Sequence, residues 1–319
     1  AAGEQPAQHA AFCRCLQCQH VRPAARRGPL EMLADYLPEG EIEWPLGAGG
    51  SPLVTALIAT HHGRLSALRD AVASVLGQGY QPIEIVVVVQ NVPMQADADH
   101  LQAVRSEAFA RLPVVRVVPA TDQPEGLAWA DEWGVGDRHS DEHKAHRAAF
   151  VRNAGLAAAT GEYVAFLDDD DVWLPGKLAT MIEEMRKAES SFAASDAYCG
   201  PLRRLRPFWP QRHGEGIHDS QFVLHNREKH RVMLQQRIKE FNPDLRCGVA
   251  EDMLRRHNLL ITSTVVLSRA LLGKLGYMNT EVLWEDYDFW VRAVELEGEV
   301  LYIPEALTVY DEEHGARGR

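Results

Sequence analysis

The sequence predicts an α/β protein: a mostly parallel central sheet flanked by helices. Three observations predict it. From Leu53 onward, strand-like and helix-like segments alternate, separated by short polar breaks, the pattern of parallel strands joined by crossover helices. One of these strands, "IEIVVVV" (Ile83–Val89), is apolar almost throughout, as a strand covered on both faces must be. Four consecutive aspartates, Asp168 to Asp171, stand between a strand pattern and a helix pattern. Open parallel sheets bind ligands in the crevice outside such strand ends.

The elements follow in order. Residues 1–50 read as an accessory segment, polar and Ala/Pro-rich, with a short helix around Pro29–Tyr36 and the linker-like "GAGGSP" (Gly47–Pro52) at its end. "LVTALIAT" (Leu53–Thr60) is a buried strand and "HHGR" a loop. Leu65, Leu68, Val72 and Val75 then recur at helical spacing. "GQGYQP" breaks the chain before the strand Ile83–Val89. A helix near Ala98–Arg111, a strand at Val114–Val118 and a long acidic, His-bearing loop (Thr121–His146) come next. The helix Arg147–Ala159 and the strand Glu162–Leu167 lead into the aspartates. Pro175 suits the first turn of the helix that follows, whose apolar face is Leu178, Met181, Ile182 and Met185. Residues 51–198 thus form one half, ending in the acidic run, and residues 199–319 a second. From Cys199 to His257 there are 12 Lys/Arg against 7 Asp/Glu, a local excess of +5. Asn258–Arg269 resumes strand-like order, Trp284–Gly298 reads as a helix, and Val300–His314 as one or two short strands.

Composition excludes several classes. The 319 residues carry a net charge of −12, which opposes nonspecific nucleic-acid binding. No apolar run approaches the roughly 20 residues of a membrane span. No signal-peptide pattern is visible; the chain opens at Ala1 without a methionine, which leaves a removed leader open. The expectation is a cytoplasmic protein, with peripheral contact at the inner face of the membrane. Five cysteines, an odd number, do not make a complete disulfide framework. Cys13, Cys15, Cys18 and His20 offer zinc-type ligands, but at cramped spacing with no second pair nearby; reduced thiols on an N-terminal arm are the expectation.

The aspartates raise one another's pKa and oppose packing, so their clustering calls for a function. In an extended segment Asp168 and Asp170 face the same side, where they could share a hard divalent cation, Mn2+ or Mg2+. Such ions use one or two carboxylates plus substrate phosphates, which implies a nucleoside diphosphate whose departure the metal assists.

Four motifs, in order, carry a resemblance: "LRDAVASVLGQGYQPIEIVVV", "VRNAGLAAATGEYVAFLDDDD", "WEDYDFWVRA" and "YIPEALTVYDEEH". Over roughly Leu53 to His314 the chain resembles a family-2 glycosyltransferase. The resemblance implies the glycosyltransferase-A fold, with a Rossmann-like sheet and an acceptor-side subregion. It also implies transfer, with inversion, from a UDP- or GDP-sugar to a hydroxyl of a glycan, lipid-linked or other acceptor. By position, Asp170 would be the principal metal ligand, Asp168 would contact ribose or metal, and Asp169 sugar or ribose. Arg152 would lie beside the nucleotide, with Thr60, His62 and Gln90 lining its site. Asp286 would be the general base, Glu285 beside it would help orient the acceptor, and His314 would stand near diphosphate and metal. Inverting transfer needs a carboxylate to take the acceptor's proton and charge stabilisation where the diphosphate leaves.

Three departures stand out. Val89-Gln90-Asn91 replaces the aspartate that usually reads the nucleotide base. "THHG" replaces T-x-N in the first loop, and the loop Thr121–His146 is longer than common, with His139, His143 and His146 read as part of a solvated lid. The chain has no Q-x-x-R-W after Asp286, as processive synthases usually have, so single addition is expected. A nucleotidyltransferase would need a Gly-rich first loop; a sugar-nucleotide-binding pseudoenzyme would lack Asp170 or Asp286. The basic, aromatic segment Pro201–His213 suits an anionic acceptor, lipid-linked or phosphorylated.

Overall fold

The computed structural model describes residues 50–90, 95–122, 141–200, 249–250, 258, 260–282 and 284–311. Side-chain alternation along the central strands sets the architecture. In β1 (Val54–Thr60), Val54, Ala56 and Ile58 join one apolar cluster and Leu57 the other. In β2 (Ile83–Val89), Ile83, Ile85, Val87 and Val89 face one side, Val86 and Val88 the other. A strand with both faces covered has no use for polar alternation, which accounts for "IEIVVVV".

Helices α1 (Leu65–Leu76), α2 (Gln95–Ser106) and α4 (Lys177–Lys187) cover one face. Helices α3 (Asp141–Ala158), α5 (Arg269–Leu275) and α6 (Glu285–Glu297) cover the other. Helix α3 lies so close to the sheet that a Cβ on Gly155 would stand 2.7 Å from Val88 Cγ2 and 2.8 Å from Leu57 Cδ1. This is the physical reason for the glycine in "VRNAG".

The remaining strands are β3 (Val115–Pro119), β4 (Tyr163–Asp168), β5 (Val172–Trp173), β6 (Phe192–Gly200), β7 (Val249–Ala250), β8 (Val265–Ser268) and β9 (Glu299–Asp311). The nine-stranded sheet has the order β3-β2-β1-β4-β8-β6-β9-β5, with β7 beside β9. The expected parallel arrangement joins β3, β2, β1 and β4, and β6 with β9. Strands β8, β5 and β7 pair antiparallel.

Several boundaries differ from the sequence expectation. Asp141–His146 are the first turns of α3 rather than loop. The helix expected at Ala98–Arg111 ends at Ser106, and a separate 3-10 turn spans Phe109–Arg111. Helix α4 starts at Lys177, because Gly176 takes a left-handed φ of 85° just before it. The closing segment is one 13-residue strand, accommodated against β6 by register shifts around Asp196. Strands β5, β6 and β7 and helix α5 were not expected. "FAASDAYCG" shows no clean period, and two-residue strands exist only through their partners. The segment 1–49 with its expected helix, Cys13, Cys15, Cys18 and His20, the basic Pro201–His213 and residues 123–140 all lie outside the described residues. Among the described residues no helix is long and apolar enough to cross a membrane.

Candidate functional site

The carboxyl ends of three parallel strands meet at one edge of the sheet. Register places Thr60 of β1 opposite Val89 of β2, and Ala59 opposite Asp168 of β4; Gln90, just past β2, donates its N–H to the Thr60 carbonyl at 2.9 Å. Thr60, Gln90 and Asp168, far apart in sequence, therefore stand side by side at the carboxyl ends of neighbouring strands, the position outside which open α/β sheets bind ligands in a crevice. Thr60 and Gln90 are buried, whereas His62 is exposed, its ring edge-on to His61.

The four aspartates have four different environments. The chain does not run extended through them. Strand β4 ends at Asp168, and the Asp171 N–H closes a turn onto the Asp168 carbonyl at 3.1 Å. The expected two-residue alternation of Asp168 and Asp170 therefore does not hold here; the turn sets their relation. Asp168 accepts from Arg152 Nη2 at 2.7 Å. Asp170 accepts from Arg64 Nη1 at 2.9 Å; burial and the Asp168 charge push it up to about 6. Asp169 is buried beside the Thr60 hydroxyl and pushed up to about 8, first by burial and then by Asp170. Its Oδ2 is a buried atom without a hydrogen-bond partner. Asp171 is wholly buried and structural: it accepts from the Ser263 hydroxyl at 2.5 Å and the Asp311 N–H at 2.8 Å. Burial raises its pKa well above the usual carboxylate range.

On the opposite side, helix α6 starts with Glu285 and Asp286, acidic residues that its N-terminal dipole favours. Glu285 is buried against Arg152, with Nη1 to Oε1 at 2.5 Å, and burial pushes it up to about 7 although the arginine works the other way. Arg152 thus bridges the strand-end aspartate and the helix-start glutamate, which are 117 residues apart (285 − 168). Its neighbour Asn153 pins the approach to α6, exchanging two hydrogen bonds with the Met278 backbone at 2.9 and 2.8 Å. In "VRNAG" the arginine therefore serves the crevice, and the asparagine and glycine place it.

A 3-10 turn at Thr262–Thr264, unnoticed in the sequence, ties both sides together. Thr262 Oγ1 donates to Asp286 Oδ2 at 2.9 Å. The Ser263 hydroxyl accepts the Asp168 N–H at 3.0 Å while donating to Asp171. Ser263 O takes the Trp173 indole N–H at 2.9 Å. The buried Lys177 donates to Thr264 O at 3.2 Å and to Ser195 Oγ at 3.3 Å; burial pulls its amine down to about 7. Three adjacent hydroxyls in "ITSTVV" were the available signal, masked by their strand-like β-branched composition. Arg64 and His61 were also missed, since loop position says nothing of what a long side chain reaches. His314 lies outside the described residues.

The residues fit a hard cation. Asp168 and Asp170 supply oxygen donors, and the buried Asp169 Oδ2 lacks a partner. Among the described residues no group of three or more His, Cys, Asp or Glu side chains is arranged to hold a metal. Such an ion would therefore need substrate oxygens as well, the usual habit of magnesium and manganese.

Comparison with known proteins places this architecture in context. A sequence model described as glycosyl transferase family 2 matches residues 55–258. The amylovoran biosynthesis glycosyltransferase AmsB of Erwinia amylovora is 26% identical over 162 residues, 51% of this chain and 46% of that protein. The succinoglycan biosynthesis protein ExoW of Rhizobium meliloti is 26% identical over 245 residues, 76% of this chain and 63% of that protein. The chain thus spans less than two thirds of these curated relatives. Among solved structures, the mannosyltransferase PcManGT of Pyrobaculum calidifontis, in complex with GDP-Man and Mn2+, superposes with a TM-score of 0.50 at 16% identity, covering 96% of this chain and 70% of that one.

Proposed function

The chain belongs to glycosyl transferase family 2 and has the glycosyltransferase-A fold, and on that premise we propose that it moves a sugar from a UDP- or GDP-sugar to an acceptor hydroxyl, with inversion and with a divalent cation. The pathway class is assembly of a bacterial surface glycan, as the names of AmsB and ExoW suggest by relationship. The observation that carries the reading is the convergence at one 3-10 turn: Thr262 holds Asp286, and Ser263 holds Asp168 and Asp171. The carboxylate read here as the proton acceptor and the acidic turn read as suited to a cation, from distant parts of the chain, are thereby tied to one short turn.

In this reading Asp286 takes the proton from the acceptor hydroxyl as that oxygen attacks the anomeric carbon. Its Oδ2 is fixed by Thr262 and its Oδ1 accepts the Tyr287 N–H at 2.7 Å, so the carboxylate is oriented before the acceptor arrives. Glu285 contributes through Arg152, holding the guanidinium of this buried residue beside Asp168. Thr60 and Gln90 at the strand ends bound the nucleotide side, with Gln90 an amide in place of a base-reading carboxylate. A divalent cation held by Asp168 and Asp170 would act as a Lewis acid that neutralises the departing diphosphate. GDP-Man and Mn2+ in the PcManGT complex support a donor and metal of this kind.

The test is a panel of UDP- and GDP-sugars, each with Mn2+, Mg2+ or EDTA, read by thermal stabilisation and by slow donor hydrolysis. One donor should stabilise the chain only with metal, and Asp170→Ala should abolish that effect. Full donor hydrolysis in excess EDTA would refute metal dependence.

A further inference from the structure

The two ends of the Arg152 bridge differ. Nη1 meets Glu285 Oε1 at 2.5 Å, where the side chains are 10% and 8% exposed. Nη2 meets Asp168 Oδ1 at 2.7 Å, where the carboxylate is 29% exposed. The bridge is buried at the helix start and opens at the strand end, the side from which ligands enter such sheets. The arginine's backbone is held in place. Helix α3 is pressed onto the sheet at Gly155, and Asn153 ties it to the Met278 backbone.

A buried guanidinium needs a carboxylate beside it, because removing the partner of such a pair leaves an uncompensated charge. Arg152 has two partners, on different nitrogens, so it can release one and keep the other. A cation that takes Asp168 therefore leaves Arg152 paired with Glu285. Were the Glu285 charge absent, Asp168 would be the carboxylate on which the guanidinium depends, and a cation would have to break that pair. The Asp286 charge also acts on Arg152, but its carboxylate oxygens are engaged by the Thr262 hydroxyl and the Tyr287 N–H.

We propose that Glu285 is a positioning residue for the donor's divalent cation: by retaining Arg152 it keeps Asp168 available, so a carboxylate at the acceptor-side helix sets affinity at the donor side. The inference rests on the function proposed above and goes beyond it by coupling the two halves of the site through one side chain. Glu285 touches neither the cation nor Asp168; it acts through the guanidinium. By linkage, a cation on Asp168 strengthens the Arg152–Glu285 pair to the same extent.

The experiment measures Mn2+ binding to the purified chain by electron paramagnetic resonance of the free ion, with saturating UDP or GDP, whichever the chain accepts. It is run above the value of about 7 to which burial raises Glu285, so that the wild-type glutamate is charged. E285Q keeps an oxygen for Nη1 but loses the charge. It should bind Mn2+ about tenfold more weakly, the size of effect one nearby charge has on a carboxylate. R152Q removes the competitor and should bind Mn2+ about tenfold more tightly than wild type. R152Q/E285Q should bind as tightly as R152Q, since without the arginine the glutamate has nothing to retain; a merely structural glutamate would not be rescued by a second loss. D286N removes a charge from the same helix start without breaking a bond to Arg152, and should change Mn2+ affinity far less than E285Q. Unchanged affinity in a folded E285Q, an equal loss in D286N, or a loss that persists in R152Q/E285Q overturns the inference and leaves the proposed function standing. If R152Q does not fold, the comparison of E285Q with D286N decides alone. Wild type that binds Mn2+ with neither nucleotide overturns that function and the inference with it.

Discussion

Lys177 carries the sharpest test of the energetics around the crevice. Its amine is completely buried, over the Trp173 ring at 5.6 Å, and bonded to neutral partners: Ser195 Oγ, Thr264 O and Met181 Sδ. Burial takes its pKa from 10.5 to about 7. The folded state therefore binds fewer protons than the unfolded one. The contribution of this group to stability is complete above pH 10.5 and is lost as pH falls through about 7. Discharging the amine for folding costs about 4 kcal/mol at pH 7 and about 2 kcal/mol at pH 9. Lys177→Met keeps the apolar stem and removes that cost, but forfeits hydrogen bonds that contribute roughly 1 kcal/mol each. The variant should be about 1–3 kcal/mol more stable at pH 7. Its advantage should narrow by about 2 kcal/mol at pH 9, because only wild type gains there. Urea unfolding of both proteins at the two pH values measures the difference, and other titrating groups cancel between them. A stability difference that is the same at pH 7 and pH 9 would refute the buried neutral amine. Destabilisation at pH 7 would mean that the Thr264 contact outweighs desolvation.

Asp286→Asn keeps shape but cannot accept a proton; kcat should fall about 10²–10⁴-fold with donor affinity by calorimetry unchanged, and a collapse of donor affinity instead would make Asp286 a nucleotide-site residue. Thr262→Val removes the hydroxyl on Asp286 Oδ2; kcat should drop about tenfold, the worth of one hydrogen bond to a charged group, with donor affinity by calorimetry unchanged. Thr262→Ser should restore kcat, whereas a purely structural threonine would change melting and leave kcat in place. Gly155→Ala forces a methyl to within 2.7 Å of Val88 and should cost about 1–3 kcal/mol in urea unfolding; a neutral result would show that helix α3 can withdraw from the sheet.

The sequence by itself determined the first half of the fold and the acidic edge. A short apolar run rich in β-branched residues and bounded by turn signals reads as a strand covered on both faces, as Ile83–Val89 is. The period of Leu68, Val72 and Val75 made α1 legible, and the four motifs carried the family. Local signals of this kind survive because they come from one element's own geometry. The tertiary structure decided what each polar residue touches. Four aspartates that look alike in sequence became a bridged one, a partly orphaned one, a counter-ion's partner and a buried strut, because the turn after β4 points them at Arg152, Thr60, Arg64 and Ser263. Among the described residues, strands β5 and β7 pair with β9 alone. The 3-10 turn at Thr262–Thr264 acquires its role from residues 24 to 95 positions away. Hydrogen bonds across such separations leave no periodicity in the chain, since each depends on where two unrelated segments come to rest.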